Sequence, residues 1–181
     1  MHPLVTTASA LLLAASICSS PATAKEYPIG KPQTAAGMEV AAVYLQPIEM
    51  EPAGMMREAK DSDVHMEADI KAADDNANGF AKGDWIPYLV VTYALEKDGK
   101  EVGKGDFMPM VANDGPHYGD NVKLAGPGKY TLTLDIQPPS ANMHAHFGRH
   151  VDKETGVGPW FKPLKLKYDF VYTGTGKKGG Y

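Results

Sequence analysis

The feature that most constrains this chain is the spacing of its turn residues. Clusters of Gly, Pro, Asn and Asp ("DDNANG", "KDGKEVGKGD", "NDGPHYGDN", "AGPGK", "ETGVG") interrupt it at short intervals and leave no room for a long helix. The stretches between them have the two-residue period of strands. In "DVHMEADIKA" (Asp63–Ala72), Val64, Met66, Ala68 and Ile70 fall on one face, and His65, Glu67, Asp69 and Lys71 on the other. "KYTLTLDIQ" (Lys129–Gln137) and "PLKLKYDFVYT" (Pro163–Thr173) alternate in the same way. "MEVAAVYLQPI" (Met38–Ile48), "WIPYLVVTYALEK" (Trp85–Lys97) and "DFMPMVA" (Asp106–Ala112) complete the set. Six or seven short strands with no amphipathic helix predict an all-β fold, an immunoglobulin-like antiparallel β-sandwich.

The first 24 residues are predicted to lie outside that fold. An apolar run from Ala8 to Ile17 ends in Ala22-Thr23-Ala24, the arrangement of a secretory signal peptide cleaved before Lys25. The expected organisation is therefore a signal peptide over 1–24, one domain over 25–175 and a flexible tail over 176–181. Cys18, the only cysteine, leaves with the signal, so no disulfide holds the exported domain. A formal charge of −4 argues against a nucleic-acid partner, which calls for a basic patch.

The candidate chemistry is metal binding. His65 and Glu67 share a strand face, and the core needs only the opposite one. They read either as a solvated polar pair or as two ligands on one rigid strand. Met108 and Met110 share a face too, and read as adaptable filler or as thioether ligands. His117 follows Met110 across a Gly-Pro turn that would fold it back. "MHAHFGRH" adds His144, His146 and His150, and short His-rich tracts suggest metal binding. A mixed imidazole, thioether and carboxylate set suits a redox-active first-row metal better than calcium or magnesium. "DDNANGFAKGDW" matches the first half of a calcium loop, but Trp85 stands where a bidentate Glu is required. The segment Ile48–Met56, with Glu49, Glu51, Met50, Met55 and Met56, reads as a methionine-bearing loop or as a route in for metal. No serine, cysteine or metalloprotease catalytic motif is present.

"VHMEADIKA", "NGFAKGDWIPYLVVTY", "MPMVANDGPHYGDNVKL" and "FGRHVDKETGVGPWFKPL" resemble, in this order, the signature blocks of periplasmic high-affinity iron-transport proteins of the FetP/FtrA type. The resemblance covers nearly all of the exported chain. It implies a periplasmic homodimer of immunoglobulin-like fold that binds ferrous iron (Fe2+) and copper. Such a protein would pass iron to an inner-membrane iron permease, with periplasmic or membrane redox proteins as companions. The implied ligands are His65, Glu67, Met110 and His117, with a loop histidine, His150 in preference to His144 or His146. Asp114 and Tyr118 are candidates to orient the imidazoles. Two alternatives use the same ligands: a copper-dependent ferrous oxidase feeding the permease, and a copper chaperone.

Overall fold

The computed structural model describes residues 25–174; residues 1–24, where a signal peptide is expected, and residues 175–181, with the expected tail, lie outside the described residues. Among the described residues the elements are nine strands and two single-turn 3-10 segments. The strands are β1 (Tyr27–Pro28), β2 (Gln33–Ala35), β3 (Met38–Leu45), β4 (Val64–Ala72), β5 (Val90–Lys97), β6 (Lys100–Ala112), β7 (Gly115–Val122), β8 (Gly128–Gln137) and β9 (Leu164–Tyr172). All pairings are antiparallel, in the order β1-β3-β4-β7-β6-β5-β8-β9, with β2 also on β3. The antiparallel all-β architecture expected from the sequence is the one the chain adopts. No described helix is long and apolar enough to cross a membrane.

Two layers follow from one long strand. Residues up to Phe107 of β6 pair with β5, and Met108–Ala112 pair with β7, so β6 belongs to both layers. The layers close on each other where Tyr168 of β9 donates its hydroxyl to the Val40 carbonyl of β3 at 3.0 Å. The core between them is built by alternation. Val64, Met66, Ala68 and Ile70 are fully buried, and so are Leu132, Leu134 and Ile136. Each of these side chains other than Ala68 contributes about 1.5–3 kcal/mol by leaving water.

Three sequence expectations need correction. "NDGPHYGDN" is a loop only at Asn113–Asp114; Gly115 and Pro116 already pair with Ala112 and Val111, and the chain continues as β7. The polar, glycine-rich composition of this stretch hides a strand that lies between β4 and β6. "KDGKEVGKGD" likewise turns only around Asp98-Gly99, with Asp98 and Gly99 at φ 53° and 74°, and β6 starts at Lys100. Conversely, Trp85–Leu89 is not strand. Pro87 cannot extend the ladder, and Tyr88 takes a φ of 61°. This segment is fastened by Tyr118, whose hydroxyl donates to the Ile86 carbonyl (2.8 Å) and accepts from the Leu89 N–H (3.0 Å). The calcium-like loop turns the chain back from the end of β4 to an isolated antiparallel bridge between Lys71 and Trp85. Its Asn76 and Asn78 amides donate to the Gly37, Gly158 and Pro159 carbonyls.

Tyr118→Phe keeps the ring on Trp85 but leaves the Leu89 N–H and the Ile86 carbonyl buried without partners. It is expected to cost about 1–3 kcal/mol, read as a lower urea midpoint with an unchanged m-value.

Candidate metal centre

Three adjacent strands place the donors. Register pairs His65 with Asn121 and Glu67 with Gly119 across β4 and β7. It pairs Gly119 with Met108 and His117 with Met110 across β7 and β6. Residues opposite one another in a ladder share a face, so the period-two pleat gathers two imidazoles, a carboxylate and two thioethers on one side of the sheet. That side is not solvated. His65, Glu67 and His117 are buried, because the chain after β3 folds across the sheet and roofs it. The roof leaves a cavity of about 1220 Å³ whose wall includes Glu49, Met50, Met55, Met108, Met110 and His144.

At its floor, Nε2 of His65 lies 3.6 Å and Nε2 of His117 3.4 Å from one Glu67 carboxylate oxygen. Donor atoms of the three residues lie within 4.8 Å of one another. These separations are longer than the ~2.7–2.9 Å of a charge-assisted hydrogen bond. They match neighbouring donors around one ion held at about 2.0–2.2 Å. Both Nε2 atoms are buried and have no hydrogen-bond partner among the described residues.

Asn121 explains why His65 offers that nitrogen. Its amide N–H groups donate to the Ile48 and Arg57 carbonyls (2.8 and 2.9 Å), which fixes Oδ1 toward the Ile48 N–H and His65 Nδ1, each at 3.1 Å. Nδ1 therefore carries the proton, and the Nε2 lone pair faces Glu67. Gly119 makes the space for it. A Cβ there would stand 2.8 Å from His65 Nε2 and 2.9 Å from the Met66 carbonyl. Neither residue was identified from sequence, because their roles depend on a register that the residue types do not announce. Tyr118 instead faces the core, and Asp114 acts by charge.

Electrostatics make the floor uncomfortable for an anion. Burial, followed by the charges of Glu26, Asp114 and Asp69, pushes the Glu67 carboxyl up to about 8. Glu26 is itself raised, first by burial and then by its hydrogen bond to Asp114. Burial drives His65 down to about 4, and burial also lowers His117. At neutral pH the floor thus holds two neutral imidazoles and a protonated carboxyl, and a cation can replace that proton.

The remaining sequence candidates lie elsewhere. His144 is exposed on the cavity wall. His146 is exposed and does not line the cavity. His150 is exposed too, with Nδ1 2.7 Å from Thr155 Oγ1, beside a shallow pocket walled by Phe80, Phe147 and Trp160. Within a single chain the fold brings together His65, Glu67 and His117, with Met110 paired beside His117. It does not bring His146 or His150 to them.

A model of the family described as "Fe2+ transport protein" matches residues 23–174. The chain belongs to this family. Other similarities agree. A UPF0423 protein of Brucella abortus (strain 2308) is 78% identical over 161 residues, 88% of each chain. Copper-bound FetP, as a variant, from uropathogenic Escherichia coli strain F11 is 53% identical, with a TM-score of 0.78, covering 82% of this chain and 98% of that one. Copper-reconstituted P19 from Campylobacter jejuni is 51% identical, with a TM-score of 0.80, covering 84% and 99%. This Fe2+ transport protein family member thus shares its fold over nearly the whole length of two proteins seen with copper.

Two outcomes follow for it. Gly119→Ala should displace the His65 ring and weaken Cu(II) binding by at least about tenfold, measured by competitive titration, with circular dichroism unchanged. The Glu67 shift sets the pH dependence. Below about pH 8 an incoming ion must expel one proton from Glu67, whereas His65 holds none above about pH 4. Apparent affinity should therefore fall by up to about tenfold per unit as pH drops from 8 to 6, with about one proton released per ion. Glu67→Gln should bind more weakly and lose that slope, as read by calorimetry in buffers of different ionisation enthalpy.

Proposed function

We propose that this protein is a periplasmic metal carrier of a ferrous-iron uptake system. It takes up Fe(II) on the His65–Glu67–His117 floor, binds copper in the same region, and passes iron to an inner-membrane permease. The observation that carries the reading is the pair of buried Nε2 atoms, unpartnered among the described residues, facing one buried carboxyl. In a core, two such nitrogens and a carboxyl cost free energy unless a cation binds them. Family membership supports iron as the cargo, and the copper-bound relatives support copper as a second ion.

The donor set fits a carrier. Three side chains from two strands supply nitrogen and oxygen, and Met110 adds a neutral thioether that brings no extra charge to hold the ion back. An ion held by these residues keeps room in the cavity for water or for a further ligand. We assign that ligand to the His-rich loop of a second copy in a homodimer. His150 is the preferred donor, with His144 and His146 as the others; all three are exposed and able to meet a neighbouring chain. FetP was produced in the periplasm of E. coli. That supports the same compartment for this chain, reached through the signal segment that ends at Ala24.

His65→Ala combined with Glu67→Ala should weaken Fe(II) and Cu(II) binding by at least about 100-fold while the far-ultraviolet circular dichroism stays as in the parent. Calorimetric titration of the metal-free protein, anaerobic for iron, measures it. Unchanged affinity in the double variant would overturn the assignment.

A further inference from the structure

The cavity has a second set of thioethers that the floor does not use. Met50 and Met55 line the same chamber as Met108, Met110 and Glu67, but on the roof side. Methionine inside a protein is ordinarily adaptable filler. Met55 is not inside: it is 59% exposed. Met50 is half-buried at the wall.

The two residues do not ride on a loose loop. Asn121, itself 1% exposed, bonds both the N–H and the carbonyl of Ile48 and also the carbonyl of Arg57. Ile48 and Arg57 bracket the turn that carries Met50 and Met55, so one buried amide clamps both of its ends. The same amide sets the tautomer of His65. The turn that carries the two thioethers and the floor imidazole therefore share a common anchor.

The chemistry of the two sides differs. Imidazole and carboxylate suit divalent first-row ions, whereas thioether prefers soft monovalent ones, Cu(I) above all. Glu49 and Glu51, on the same turn and also lining the chamber, place negative charge near the mouth without changing that preference. We propose that Met50 and Met55 form a separate thioether station for Cu(I) at the cavity mouth, above the floor that takes divalent ions. The station rests on the reading of the chamber as a metal chamber, but not on iron as the cargo. It sorts ions by softness: a monovalent ion is held at the mouth, and a divalent ion passes to the floor.

The test uses the exported chain, untagged and labelled with [methyl-13C]methionine. Ag(I) serves as an air-stable probe, followed by anaerobic Cu(I) in competition with bicinchoninate. The methyl resonances of Met50 and Met55 should shift on the first equivalent of Ag(I). Met50→Ile with Met55→Ile should lower Ag(I) and Cu(I) affinity by at least about tenfold and leave Cu(II) affinity within about twofold. Met55→Ile alone, at an exposed position, provides a variant with no folding liability and should give part of the loss. His65→Ala with Glu67→Ala should lose Cu(II) and keep Ag(I). Shifts confined to Met108 and Met110, or an unchanged Ag(I) affinity in the Met50/Met55 variant, would overturn the station. If Ag(I) stays on Met50 and Met55 while no variant, nor the parent, binds divalent ions, the carrier reading fails and the station stands.

Discussion

The rest of the structure depends on one burial: a carboxyl set between two imidazole nitrogens inside a β-protein. Glu67 cannot reach water easily, and it faces two imidazole nitrogens. An ionised carboxylate in that position would need a positive partner close by. Among the described residues no cation lowers its pKa, and Glu26, Asp114 and Asp69 add to the same field. The arrangement is poor as a structural core and good as a seat for a cation. Its stability as a fold comes from the other face of the same strand, where Val64, Met66, Ala68 and Ile70 fill the core. Strand β4 thus carries packing on one side and chemistry on the other.

The roof over the seat is as important as the seat. An open polar face would let water compete for every donor and return Glu67 to an ordinary carboxyl. The turn clamped by Asn121 removes much of that water and leaves a chamber lined by thioethers of both the turn and the sheet. Asn121 joins three things with one side chain: the ladder position opposite His65, the protonation of that imidazole and the ends of the roofing turn. The same economy appears at Gly119, where the missing side chain is what the neighbouring histidine occupies.

Much of this was legible in the sequence, and what was not has a physical cause. Strict alternation in β4, β8 and β9 made those strands plain, and the turn clusters ruled out helices. β7 was hidden because its residues, Gly-Pro-His-Tyr-Gly-Asp-Asn, have the composition of a loop. Only its place between two strands, with hydrogen-bonding partners on both sides, makes it extended. The meeting of Met110 with His117 was readable, since a short hairpin fixes its own register. The roles of Gly119 and Asn121 were not, because they arise from pairing between strands more than fifty residues apart. The burial of His65 and Glu67 also escaped sequence reading. Alternation says which way a side chain points, but not whether something will later cover it.

Strand β6 has a consequence for how chain length can vary. Its first part is paired to β5 in one layer and its last part to β7 in the other. Adding or deleting a single residue within it would rotate Met108 and Met110 to the far side of the sheet, and would throw the two layers out of step at the same time. The hairpin tip at Asn113–Asp114 has no such double duty. Length changes in relatives of this chain should therefore be tolerated at the tip and purged from the strand, a footprint of the chamber written in gaps instead of residues.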